Sequence, residues 1–315
     1  LEGLIAFYQR DYATALKQAD AALRDAPWLY EAAKLAGDVH LEQALQARDS
    51  GHPEVAEGEF ASAVRSYEAA AAIGQSDGEA YEGLAEALVR QIEMARDRGQ
   101  PLDEKYSQAI AVASKLMETE PDSIAGPLKR AFAAGLRTAP GANNAESSEH
   151  VHLCLESAEL VLQKQPGHPY ASDTAAICLL AEAEIGKLRG EDPEPQLRRG
   201  LSLLEPVVKK YPYFLWGLSD LGNLELALAT HLQLHGDPSA KAVFQRALGY
   251  SIAASGLDPT YIAPPTGALW NLALTIVELR SEEEIQQLLA SAATWMSKCE
   301  SINAQYQQCF NNIFQ

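Results

Sequence analysis

The sequence has few aromatic residues, little cysteine, a deficit of positive charge and no long apolar run. Aromatics make up 7% of its 315 residues. With Ala and Leu abundant, that balance favours helix over a β-sandwich. Cys154, Cys178, Cys299 and Cys309 stand far apart without CxxC spacing. A disulfide framework or zinc ribbon is therefore not expected, and a reducing cytoplasm is the simplest home. Lys and Arg number 25 against 43 Asp and Glu, a formal net charge of −18. Phosphate backbones and anionic lipid repel such a chain, so neither nucleic acid nor a membrane surface is an expected partner. No apolar run approaches the roughly 18–20 residues that span a bilayer. The opening LEGLIAFYQRDY lacks the basic segment of a signal peptide. Catalytic signatures are missing too: there is no GxGxxG leading into a helix, no GxxxxGK[ST], no HExxH and no GxSxG. The chain reads as non-enzymatic, with no cofactor or metal implied.

What is present is a repeat. Hydrophobic residues form 47% of the chain, enough for a substantial core. A helix-ending proline recurs at Pro27, Pro121, Pro166, Pro212 and Pro259, with 94, 45, 46 and 47 residues between successive positions. The first interval holds two periods, with an intermediate turn at Gln75-Ser76-Asp77. Before each turn, small and apolar residues fall at helical spacing: Ala15, Ala19 and Ala22; Ala63, Tyr67 and Ala70; Ala109, Ala113 and Leu116. That spacing marks one helix face where a neighbouring helix approaches closely. After the turns come Leu35-Ala36-Gly37, then Tyr81, Leu84, Ala85 and Leu88, and later Leu218, Leu221 and Gly222.

These residues resemble the tetratricopeptide (TPR) signature, most clearly at 11–27, 30–75, 78–121 and 215–259. The resemblance implies an all-α fold, a right-handed superhelical solenoid of antiparallel helix pairs, A and B. This repeat is longer than the family's usual one by about 12 residues. The additions read as extended helix followed by polar breaks at 47–54, 96–103, 189–195 and 234–240, where Gly, Pro and Asp supply stops and caps. Helix A is expected to be about 20 residues and helix B about 16–18. The expected organisation is a single solenoid over 1–315: a truncated first repeat at 1–27, then repeats at 28–75, 76–121, 122–166, 167–212, 213–259 and 260–301, and a capping helix at 302–315. The small, polar stretch 139–150 is the expected mobile loop. Leu1 falls inside a helix A, which would leave an apolar side without a neighbour, so a fragment of a longer chain is expected. The segment LYEAAKLAGDVHLEQAL is also similar to the C-terminal helical regions of bacterial serine/threonine protein kinases.

The resemblance implies a protein–protein interaction module whose helix A residues line a concave groove. By alignment the groove positions are Glu31, Lys34, Asp38 and Leu41, then Glu79, Glu82, Glu86 and Val89. The later repeats offer Leu128 and Phe132, Tyr170, Asp173 and Ile177, and Trp216, Ser219 and Asn223. The groove is expected to be acidic at its N-terminal end and aromatic and polar at its C-terminal end. Lys34 and Asn223 are repeats apart, and the glutamates would repel a carboxylate, so a basic or basic–aromatic peptide is the better match. The cluster YPYFLW at 211–216 packs between repeats or anchors a ligand. A small-ligand sensor using Trp216, Tyr170 and Asn223 is the second functional expectation.

Other candidate chemistry is thin. His231 and His235 lie i,i+4 on one helix face, but Glu225 would point about 120° away and is a poor third ligand. His150 and His152 flank the polar stretch. Cys299 and Cys309 read as buried free thiols. The runs Glu54, Glu57, Glu59 and Glu282, Glu283, Glu284 read as solvated helix faces or first-turn charge.

Overall fold

The structure is a computed structural model that describes residues 1–138, 145–258, 290, 292–295 and 297. Pro259, Cys299, Cys309, Glu282 to Glu284, the capping segment and most of the repeat expected at 260–301 lie outside the described residues.

Two compact units emerge from the packing, Leu1–Arg137 with His152–Lys164, and Thr138–Val151 with Gln165–Gln315. The first carries α1 (Glu2–Tyr8), α2 (Tyr12–Asp25), α3 (Tyr30–Asp49), α4 (Pro53–Ile73), α5 (Gly78–Asp97), α6 (Asp103–Thr119) and α7 (Ala125–Arg137). Helix α8 (Ala145–Lys164) contributes residues to both units. The second unit carries α9 (Pro169–Leu188), α10 (Glu194–Lys210), α11 (Leu215–Leu234) and α12 (Ala240–Leu257). From α1 to α7 and from α9 to α12 every helix packs on the next, and α1 with α3, α3 with α5, α5 with α7, and α9 with α11 meet as well. The odd-numbered helices therefore form one layer in each unit, and the functional residues expected from the sequence ride on it.

Local chemistry sets the ends of these helices. Helices α3, α5, α9 and α11 each run 20 residues and stop at a glycine with positive φ: Gly51 (75°), Gly99 (65°), Gly190 (78°) and Gly236 (71°). Only glycine adopts that left-handed turn without strain, and the turn feeds the helix's last carbonyls. The His52 amide donates to the Ala47 carbonyl at 2.8 Å, and Gln100 to Ala95 at 2.8 Å. At the starts, Asp11 accepts from the Thr14 amide and Asp77 from the Ala80 amide, satisfying otherwise orphaned donors. Helix α7 has 13 residues, shorter than the expected first helix of a pair.

The small residues of the repeat are the core. Ala15, Ala63, Ala70, Ala109, Ala113 and Leu116 are all at most 1% exposed. In the first unit the ring of Tyr67 fills the space between α3 and α5, opposite two glycines. A Cβ added at Gly37 would come within 2.7 Å of the ring, and one at Gly83 closer still. The glycine of the signature is thus a place where an aromatic ring replaces a side chain. In the second unit α9 to α12 enclose Leu197, Leu204, Leu221, Leu224, Leu228 and Phe244.

Two expectations change. Residues 145–150, read as part of a mobile loop, form the first turns of α8; 139–144 lie outside the described residues. Cys154 and Cys178, whose spacing gave no sign of a disulfide, are fully buried and disulfide-bonded. Disulfides persist in oxidising compartments, so cysteine usage no longer argues for a reducing cytoplasm. Among the described residues no helix is long and apolar enough to cross a membrane.

Candidate functional site: the face of the odd-numbered helices

In the first unit three of the acidic residues expected in the groove, Asp38, Glu79 and Glu86, are met by cations of the same face. Glu31 begins α3 and is exposed. Lys34, one turn later, pairs with Asp38 at 3.4 Å and with Glu79 of α5 at 3.2 Å. Burial works to lower the Lys34 pKa, but Asp38 and Glu79 outweigh it and raise the value. The Asp38 carboxylate also accepts the Tyr67 hydroxyl at 2.8 Å. Desolvation, reinforced by Asp38, raises that hydroxyl's pKa well above its ordinary value. Glu86 lies half-buried between Arg90, at 2.7 Å, and Lys129 of α7. Burial would raise the Glu86 carboxyl; Lys129 and Arg90 outweigh it and hold the carboxyl below its usual range. Glu82 is exposed.

The N-terminal face is therefore less acidic than the alignment implies, because half-buried carboxylates need countercharges. Val89 is 2% exposed and belongs to the core. Phe132 is partly buried against the cluster of Leu88, Ile92 and Ala133. A surface recess of about 450 Å³ beside Glu68, Tyr81 and Lys115 is lined by none of the expected groove residues.

The second unit differs. Tyr170, Asp173, Trp216 and Asn223, picked from separate repeats, come together on α9 and α11. The Tyr170 and Trp216 rings are 6.1 Å apart, and Phe214 meets Tyr170 edge-on at 5.4 Å. Tyr170 is 42% and Trp216 44% exposed. One helical turn further along both helices, Asp173 hydrogen-bonds Asp220, whose Oδ1 accepts from the Asn223 amide at 3.2 Å. Oδ1 of Asp173 is buried and accepts no hydrogen bond. Burial raises the pKa of both carboxyls. Asp220 is pushed up to about 7 against the lowering bonds from Asn223 and Asp173, and Asp173 is held well above its ordinary value by burial and then by the Asp220 charge. The pair therefore holds a proton in place of a second negative charge. Asp220 is the site residue the alignment missed. Its i+4 spacing from Trp216 and i−3 spacing from Asn223 placed it on the same face.

Beside the rings lies an open pocket of about 440 Å³, lined by Pro169, Tyr170, Lys210, Tyr211, Tyr213 and Phe214. The YPYFLW cluster is divided between core and surface. Phe214 packs on the core of the second unit, while Tyr213 is 83% exposed.

The histidine pair is arranged differently from its sequence geometry. His231 Nε2 faces Asp192 Oδ1 at 3.4 Å and Glu194 Oε2 at 3.8 Å, and these three residues could hold a metal ion. Their atoms are already engaged: Glu194 with Arg198 at 2.6 Å, and Asp192 with the Glu194 amide at 3.0 Å. His235 spends Nδ1 on the His231 carbonyl at 2.8 Å. Glu225 is fully buried and meets Arg246 through both oxygens, at 2.7 and 2.9 Å.

No family model and no curated protein sequence matches the chain. Among solved structures it is similar to TTC0263, a thermophilic TPR protein of Thermus thermophilus, at 16% identity and TM-score 0.45, over 75% of this chain and 99% of that one. It is also similar to the human IFIT1 dimer with m7Gppp-AAAA, at 13% identity and TM-score 0.52, over 91% of this chain and 58% of that one. At such identities the likeness concerns architecture: the chain has an all-α, TPR-like fold.

Proposed function

We propose that the chain is a non-catalytic interaction module, a scaffold or docking region, that captures a segment of a protein partner on the face of its odd-numbered helices. The observation that carries this reading is the convergence of half-exposed Tyr170 and Trp216 with the Asp173–Asp220 pair in the second unit. Large rings left in solvent beside buried polar groups are the usual anchors of a protein interface. A partner of basic and aromatic character fits this face and the charge of −18. The same charge disfavours phosphate, so the oligonucleotide held by IFIT1 does not define the ligand here. The similarity to kinase C-terminal regions makes a signalling enzyme the natural larger context.

Selection from a phage-displayed dodecapeptide library tests the reading. Peptides enriched on the intact chain should lose at least about tenfold in affinity for the Tyr170→Ala, Trp216→Ala double variant. Its helical circular dichroism should stay unchanged. Enrichment that survives both truncations moves the interface elsewhere. A second reading, a small-ligand sensor, is supported by the 440 Å³ pocket beside Tyr170. It predicts thermal stabilisation by a metabolite and none by peptides.

A further inference from the structure

The carboxyl pair beneath the rings has a feature the other buried acids lack. Glu86 and Glu225 are each answered by a Lys or Arg of this chain. Among the described residues, no Lys or Arg meets Asp173 or Asp220; they meet only each other and Asn223. Lys210 of the adjoining pocket is taken up over the Tyr211 ring at 5.1 Å. His168, whose pKa burial lowers, caps α9 by accepting the Ala171 amide on Nδ1. The described residues thus supply two acids and no cation.

Resting on the partner-site reading above, we propose that this slot receives a cationic side chain of the partner. Its ammonium or guanidinium head lies against Asp173 and Asp220, and its stem lies along Tyr170 and Trp216. Three observations meet in this assignment. The buried Oδ1 of Asp173 has no donor, an arrangement that folded proteins keep rare because each such atom costs about 1–3 kcal/mol. A bound N–H would satisfy it. The two carboxyls stay together only by holding a proton, and a cation takes the place of that proton without adding net charge to a buried site. Finally, the exposed rings stand one turn from the acids on the same helix faces, so an alkyl stem and a charged head meet ring and carboxyl in sequence. Arginine and lysine share this chemistry. A guanidinium could bridge both acids, whereas an ammonium meets them as a point charge.

Four acetylated pentapeptide amides test it on the full chain by calorimetry: Ala-Phe-X-Phe-Ala with X as arginine, lysine, citrulline or norleucine. The arginine or the lysine peptide should bind at least about tenfold more tightly than its neutral counterpart, citrulline or norleucine. Whichever is stronger identifies the head. In the Asp173→Asn, Asp220→Asn variant the difference between charged and neutral peptides should vanish. Because asparagine keeps the hydrogen-bonding volume, this variant should fold. Equal binding of charged and neutral peptides overturns the slot but leaves the aromatic interface standing. So does a charge preference that survives in the Asn variant. Binding of none of the four also overturns it, and the library selection then decides the interface independently.

Discussion

The two units solve one problem in opposite ways. Each carries carboxyls on the buried side of its odd-numbered helices, and each must neutralise them. In the first unit the answer is covalently present: Lys34 for Asp38, Lys129 and Arg90 for Glu86. In the second, Glu225 is met in the same way by Arg246, but Asp173 and Asp220 answer each other by sharing a proton. A face that supplies its own countercharge is finished, since a ligand must first break what is there. A face held by a proton and one unsatisfied oxygen has something left to exchange. The contrast teaches that acid count alone is a poor guide to the electrostatics of a helical repeat's face, because the countercharges decide what is left unpaired.

The largest expected effects come from removing the cations. Arg246→Met strands Glu225, which is fully buried and has both oxygens on that guanidinium. The cost should be about 3–5 kcal/mol, the range for an uncompensated buried charge. Lys129→Met should cost less, nearer ~2–3 kcal/mol, because Arg90 still reaches Glu86 and the site is partly open to water. Urea unfolding of both variants checks the order. If either is as stable as wild type, the ion pairs of these faces are decorative and the contrast between the units dissolves.

The sequence made the helices legible because their signals are local. Alanine at helical spacing, and Gly followed by Pro or Asp, fix where a helix packs and where it stops. The helix faces were legible too, so Tyr170, Asp173, Trp216 and Asn223 were found before their convergence was known. What stayed hidden was pairing between helices. Nothing in the one-dimensional spacing says that Lys129 reaches Glu86 across 43 residues, that Tyr67 plugs two glycines, or that Glu225 turns away from His231 to meet Arg246. The Asp220 carboxyl could have been read from its i+4 distance to Trp216. Its perturbed protonation could not, since that depends on burial against α9.

A smaller effect sharpens the first unit's side of the comparison. Gly83→Ala puts a Cβ against the Tyr67 ring, which is 1% exposed and donates to Asp38. Overpacking of this kind costs about 1–3 kcal/mol, partly offset by alanine's better helix propensity. Gly58→Ala is the control, being helical with nothing within 4 Å of the added Cβ. It should stabilise by up to about 1 kcal/mol. Equal shifts for the two, read by thermal unfolding, would mean the ring is free to move aside.

The smallest effect per unit measured is a slope with pH, and it separates the two modes of neutralisation by sign. Burial raises the Asp220 carboxyl to about 7, while the unfolded chain's aspartates titrate near ~3.9. Between those values the native state binds more protons than the unfolded one. Its stabilising share is therefore complete below about pH 4 and drains away as pH rises towards 7, by at most ~1.4 kcal/mol per pH unit for one proton. Glu86 runs the other way. Lys129 and Arg90 depress its carboxyl, so its share is present above the unfolded value near ~4.3 and is lost on acidification. Asp220→Asn should therefore match wild type near pH ~4 and gain on it steadily towards pH ~8. Lys129→Met should be most harmful at pH ~7 and progressively less so on acidification, as Glu86 takes up a proton. Parallel curves for Asp220→Asn and wild type across that span would mean the second unit's acids carry no shared proton, and the two faces would then differ only in aromatic content.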